Sequence, residues 1–218
     1  MNTELIIFDC DGVLIDSETI ACRVDAECFA EIGFPVTFED VRENYVGKTW
    51  RTMFADVELR HGRALPENFI EVIRARTAAA FETELKATEG IEALLDALTL
   101  SKCIASSSGF DRLEHSLTLT KLWDRFAPHI FSAMQVARGK PAPDLFLFAA
   151  NEMRVAPEAC LVVEDSVAGV TAARAAGMRV IGFTGGGHCG PTHPERLRAA
   201  GAEAVAQTMP ELAALLPV

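Results

Sequence analysis

The sequence predicts an α/β fold: a doubly wound parallel sheet with a small α-helical domain inserted near its start. Three observations carry this reading. Short apolar runs at 5–8, 103–105 and 160–163 have strand length and are continuous rather than alternating, as in strands buried on both faces. They alternate with helical stretches of about ten residues, the signature of a sheet covered on both sides. Residues 17–84, by contrast, show helical periodicity only, which interrupts the alternation after the first strand.

The first strand is Leu5-Ile6-Ile7-Phe8, ending in a polar turn. Ile20, Val24, Cys28, Phe29 and Ile32 then fall at three- and four-residue steps, and Gly33 supplies a helix stop. Further helical repeats run through Val41, Tyr45, Met53, Phe54, Val57, Phe69, Val72, Ile73 and Phe81, with Pro66 where a first helical turn would begin. Beyond residue 88 come a helix at 91–98, a strand at 103–105, a helix to about 119 and a weak strand at 130–131. A helix at 144–153, a strand at 160–163, a helix at 166–177 and a strand at 179–183 complete the alternation. The tail carries helices near 195–200 and 210–216 and a strand near 203–206. The domain reading is therefore a catalytic core over 1–15 and 86–218, with a cap over 16–85 threaded into it. Hinges are expected near 15–17 and 82–86.

Half of the 218 residues are hydrophobic, and the formal charge is −11 from 31 acidic and 20 basic side chains. This composition excludes a disordered chain. It argues equally against phosphate-backbone binding, because no basic run is present. The six cysteines, at 10, 22, 28, 103, 160 and 189, form no CxxC and no zinc-like spacing, so they read as small hydrophobes. Met1-Asn2-Thr3-Glu4 leads directly into a strand, and no apolar run approaches the ~18–20 residues a membrane span needs. The expectation is a soluble, cytoplasmic protein without nucleic-acid or membrane partners.

In open parallel sheets, ligands bind at the carboxyl ends of the strands. Four polar clusters sit there: Asp9-Cys10-Asp11-Gly12, Ser106-Ser107-Ser108-Gly109, Lys140-Pro141, and Glu164-Asp165-Ser166. Asp9 and Asp11, two apart, are expected to project to one side. With Glu164 and Asp165 they make four carboxylates around one crevice, which calls for a cation. An all-oxygen donor set selects a hard ion such as Mg²⁺. Lys140, the Ser106 hydroxyl and a helix start add positive charge and donors, a combination suited to phosphoryl transfer.

The order and position of these clusters resemble the haloacid dehalogenase superfamily of phosphatases and phosphomutases. Asp9-Cys10-Asp11-Gly12-Val13-Leu14-Ile15-Asp16-Ser17-Glu18 is similar to its first motif, Ser106 to the second, Lys140-Pro141 to the third, and Glu164-Asp165-Ser166-Val167-Ala168-Gly169 to the fourth. The insertion resembles the helical cap of the β-phosphoglucomutase-like branch. The resemblance implies Asp9 as nucleophile, forming an aspartyl-phosphate, and Asp11 as general acid and base. It implies Ser106 and Lys140 as holders of the transferring phosphoryl group. Mg²⁺ would sit on Asp9, the Asp11 carbonyl and Asp165, with Glu164 ligating directly or orienting the ion's waters. Asp11 argues against the dehalogenases and the phosphonate-cleaving branch, which lack an Asp there. Ala21 stands where the mutase has a histidine, so hydrolysis is favoured over sugar phosphomutase activity. The run Ala105-Ser106-Ser107-Ser108-Gly109, with His115-Ser116 and Lys121-Leu122, further resembles the sugar-acid phosphatase branch that includes 6-phosphogluconate phosphatase.

The cap segment Gly47-Lys48-Thr49-Trp50-Arg51 resembles the family's specificity loop. Lys48 and Arg51 would meet a second anionic group or sugar hydroxyls, Trp50 would provide a flat contact, and Ser107 would join from the core. Arg74 and Arg76 read as solvated helix residues. Gly185-Gly186-Gly187-His188 reads as a mobile loop at the site's edge, its histidine exposed and without a catalytic role. The expectation is a Mg²⁺-dependent phosphatase for a small phosphorylated metabolite, working as a monomer or weak homodimer. A sugar phosphomutase and a non-catalytic binding protein are the alternatives.

Overall fold

The computed structural model describes residues 2–47 and 49–217. Strand β1 (Leu5–Phe8) leads into four helices, α1 (Ser17–Glu31), α2 (Phe38–Asn44), α3 (Trp50–His61) and α4 (Phe69–Glu84). Then follow α5 (Ile91–Ala97), β2 (Ser101–Ser106), α6 (Phe110–Leu119), α7 (Trp123–Phe126), β3 (Ile130–Ser132), α8 (Asp144–Glu152) and β4 (Cys160–Glu164). The chain ends with α9 (Val167–Ala175), β5 (Arg179–Phe183), α10 (His193–Ala200), β6 (Ala204–Ala206) and α11 (Met209–Leu215). Helix α4 starts three residues beyond Pro66, whose carbonyl accepts the Phe69 N–H instead. Strand β2 is longer than its apolar run because Ser101 and Lys102 pair with β1 at its amino end.

All strands are parallel, in the order β3-β2-β1-β4-β5-β6. Strand β1 is central. The chain winds outward to β3 on one side, then returns to β4 and winds out on the other. The switch point of the sheet therefore lies at the carboxyl ends of β1 and β4, where such folds open a crevice. Alternation along β1 divides its side chains between two cores. Ile6 and Phe8 pack with Ile91, Leu95, Leu117 and Leu212, whereas Leu5 and Ile7 pack with Leu145, Phe146, Val170 and Leu197.

Helices α1–α4 bury a core of their own, centred on Phe29, Phe34, Met53, Phe69, Ile73 and Phe81. Thr37 and Thr49 cap α2 and α3 with their side chains. The segments entering and leaving this helical unit run side by side: Asp16 N–H donates to the Lys86 carbonyl at 3.1 Å, and Thr88 N–H to that of Leu14 at 2.9 Å. No described helix is long and apolar enough to cross a membrane.

Candidate active site

The register of the sheet places the chemistry. Phe8 pairs with Ile104 on one side and Val163 on the other, so the next residue, Asp9, emerges between Ala105 and Glu164. Its N–H still donates to the Val163 carbonyl at 2.9 Å, which fixes its backbone as though the strand continued. Asp9 is 6% exposed and Glu164 and Asp165 are buried. Carboxylate oxygens of these three residues all lie within 4.8 Å of one another.

Lys140, from the segment before α8, enters this cluster. Its Nζ donates at 2.6 Å to Asp9 Oδ1, at 2.6 Å to Glu164 Oε1 and at 2.9 Å to the Ala105 carbonyl. All three ammonium protons are thus used. The other Glu164 oxygen accepts from the Ser166 N–H and hydroxyl at 2.7 and 2.9 Å, while Ser166 caps α9 through the Gly169 N–H. Gly169 is required here, since a Cβ would stand 1.8 Å from Glu164 Oε1.

Burial pushes the Asp9 and Glu164 carboxyls above the usual range, and Lys140 offsets this only in part. Burial works against the Lys140 charge as well, but Asp9 and Glu164 outweigh it and raise its pKa. Lys140 pairs with Asp9 and Glu164 and His188 with Asp165, so the three buried carboxylates still outnumber the two cationic side chains. An oxygen-only donor set with that surplus fits a hard divalent cation such as Mg²⁺.

Asp11 is placed differently from the expectation. Three of the four carboxylates, Asp9, Glu164 and Asp165, form the close group, and the Asp11 carboxylate is taken up by other partners. Strand geometry ends at Phe8, and Gly12 at φ +80° bends the chain. Asp11 accepts from Ser17 Oγ at 2.6 Å, Ser108 Oγ at 2.7 Å and Arg112 Nη2 at 2.9 Å. Burial alone would raise its pKa, but Arg112 and the two hydroxyls outweigh burial and hold it below the usual carboxylate range. Arg112 also lies 5.3 Å from the ring centre of Phe81, which belongs to α4. Nearby Glu18 is raised to about 7, chiefly by burial and then by the Asp11 charge.

The remaining sequence-derived residues are distributed as follows. Ser106 is buried at the end of β2, and its Oγ accepts the Ser108 N–H at 3.1 Å. Ser107 is exposed at the mouth of the same turn. Trp50 packs against the helical-unit core and bonds to Asp25. Arg74 lies 5.4 Å from the Trp50 ring centre, and Arg51 is exposed. Arg76 pairs with Glu31 at 2.5 Å. Lys48 lies outside the described residues.

Sequence reasoning missed two residues. Arg112 reads as an ordinary first-turn residue of α6, and nothing local marks its bond to Asp11. His188 was expected to be exposed, yet it is 2% exposed, and its Nε2 lies 2.8 Å from Asp165 Oδ2. The run of three glycines before it was the available signal, because it marks a backbone approaching something closely.

A profile of the haloacid dehalogenase-like hydrolases matches residues 6–183. The chain belongs to that family. It is 37% identical over 194 residues to the 6-phosphogluconate phosphatase of Escherichia coli (strain K12), covering 88% of each chain. Among solved structures it is similar to a haloacid dehalogenase-like protein of unknown function from Agrobacterium tumefaciens, at 42% identity and a TM-score of 0.92, covering 98% and 97% of the two chains. A family hydrolase from Deinococcus radiodurans, solved with bound phosphate and sodium, is 34% identical with a TM-score of 0.85, covering 98% and 95%.

Proposed function

We propose that this phosphoric monoester hydrolase is Mg²⁺-dependent and acts on a sugar or sugar-acid phosphate, with 6-phosphogluconate the first substrate to test. The observation that carries the reading is the buried set Asp9, Glu164 and Asp165 around Lys140 at the sheet's switch point. The E. coli relative supports the substrate class.

Asp9 and Asp165 would hold the cation with the Asp11 carbonyl, and Glu164 would ligate or orient its waters. The bound ion would draw negative charge from the phosphoryl oxygens and keep the buried carboxylates ionised. Asp9 attacks phosphorus while the bond from phosphorus to the ester oxygen breaks, and Asp11 gives that oxygen a proton. Asp11 then takes a proton from water as the water oxygen attacks phosphorus, the bond to Asp9 breaks, and inorganic phosphate leaves. Lys140 and Ser106 hold the transferring group. For Asp11 to act as an acid it must leave Arg112 and take up a proton. Ser107, Lys48, Trp50 and Arg51 are assigned to the substrate's remaining part. The protein is read as a cytoplasmic monomer or weak homodimer.

The test is phosphate release from 6-phosphogluconate, glucose 6-phosphate and glucose 1-phosphate, with Mg²⁺ and with EDTA. Free phosphate that requires Mg²⁺ and disappears in Asp9→Asn is expected. Turnover retained in Asp9→Asn overturns the mechanism, and an isomerised sugar phosphate in place of free phosphate assigns a mutase.

A further inference from the structure

We infer that His188 is a positioning residue for Asp165, holding this carboxylate in the orientation that receives the cation. The inference rests on the Mg²⁺ site proposed above.

The loop after β5 is built to bring a histidine to this place. Cys189 N–H donates to the Gly186 carbonyl and His193 N–H to that of Gly190, both at 3.0 Å, so two consecutive turns fold the loop back over β4. The His188 ring is then seated in a slot that exists only because two residues lack side chains. A Cβ on Gly186 would come within 2.5 Å of His188 Cε1. A Cβ on Gly12 would come within 2.8 Å of the same atom and within 2.0 Å of Asp165 Oδ2. Gly12 directly follows Asp11, so the slot is part of the site's own wall.

From that slot Nε2 reaches Asp165 Oδ2 at 2.8 Å, with the Cys189 thiol 3.3 Å away. A carboxylate only accepts, so Nε2 carries the proton and donates. Nδ1 is buried without a partner among the described residues, so the ring's polar contacts are committed to Asp165 and Cys189. The same loop fixes the backbone of the same residue: His193 Nε2 donates to the Asp165 carbonyl at 2.5 Å. Asp165 is thus held at both main chain and side chain by one loop. The imidazole thus fixes one oxygen of the carboxylate that joins Asp9 and Glu164 in the cluster. Groups that orient a metal ligand in this way typically contribute 10–100-fold to metal affinity.

The experiment measures Mn²⁺ affinity by electron paramagnetic resonance on the full chain, alongside melting temperature in EDTA. Wild type should bind one Mn²⁺ that Mg²⁺ displaces. His188→Ala should weaken that binding about 10–100-fold. His188→Gln, whose amide N–H can make the same bond, should recover most of the loss. Gly186→Ala, which expels the ring without deleting it, should weaken binding as His188→Ala does, and it supplies the test if His188→Ala does not fold. Folded His188→Ala and Gly186→Ala with unchanged affinity overturn the inference while the Mg²⁺ reading stands. Tighter binding in His188→Ala also overturns it, because the ring would then be a competitor of the cation. No binding by wild type overturns both.

Discussion

Lys140→Met is the most demanding single perturbation of this site. The side chain is 4% exposed, and its ammonium is bonded to Asp9 and Glu164, whose side chains alone are 9% and 1% exposed. Replacing it keeps most of the hydrocarbon volume and removes the charge, leaving buried carboxylates facing one another. Breaking a buried ion pair from one side costs about 3–5 kcal/mol. At roughly 2–4 °C per kcal/mol for a chain of this size, the melting temperature in EDTA should fall by roughly 6–20 °C. Lys140→Met/Glu164→Gln should regain about half of that loss or more, since it removes the charge left unpaired. The pH dependence has a definite sign. Burial already holds Asp9 and Glu164 above their unfolded values, and losing Lys140 raises them further. The folded variant therefore binds more protons than the unfolded chain, so its stability rises as pH falls. The gap to wild type should narrow from pH 8 towards pH 5. Scanning calorimetry across that range is the assay. A loss below about 1 kcal/mol, or a double variant no more stable than the single one, would refute the assignment of Lys140 as the charge that holds the cluster together.

Other perturbations follow from the same geometry. Asp25 in α1 is buried, its Oδ1 has no partner among the described residues, and burial raises its pKa to about 7. Its contribution is full below the unfolded value and is lost as pH rises through 7, so Asp25→Asn should flatten this part of the profile. The variant should also stabilise the protein at pH 8 by on the order of 2 kcal/mol in urea titrations. Gly169→Ala drives a methyl into Glu164 and should cost about 1–3 kcal/mol in the same titrations; an unchanged midpoint would contradict the packing described. Mg²⁺ at about 100 times its dissociation constant should add ~2.7 kcal/mol of stability, read as a rise in melting temperature that Asp165→Asn abolishes. Asp11→Asn should reduce phosphate release by about 10²–10⁴-fold while leaving Mn²⁺ binding in place, because its carboxylate is bonded to Ser17, Ser108 and Arg112 and is not one of the three that gather.

Much of the fold was legible because parallel strands buried on both faces appear in sequence as unbroken apolar runs, and β1, β4 and β5 are of this kind. Asp9, Lys140, Glu164 and Asp165 were legible because strand ends in this topology converge at one edge. What could not be read depended on turns and on distant pairing. Asp9 and Asp11 look like same-face neighbours of one strand, but the strand's pairing ends with the Asp9 N–H and Gly12 redirects the chain. The partner of Asp11 is Arg112, 101 residues away and without a distinguishing context. His188 looked exposed because hydropathy says nothing about a slot formed by the missing side chains of Gly12 and Gly186. The three-residue β3 was weak in sequence because it lies at the sheet's edge, where only β2 supports it.

The contact between Arg112 and Phe81 links the partner of Asp11 to helix α4. The guanidinium belongs to α6, which follows β2, the ring to α4 of the helical unit, and the carboxylate that the guanidinium pairs with is Asp11. A displacement of α4 that took Phe81 away would admit water to the guanidinium and weaken its grip on the carboxylate. The affinity of Asp11 for its proton would then rise with the distance of α4 from α6.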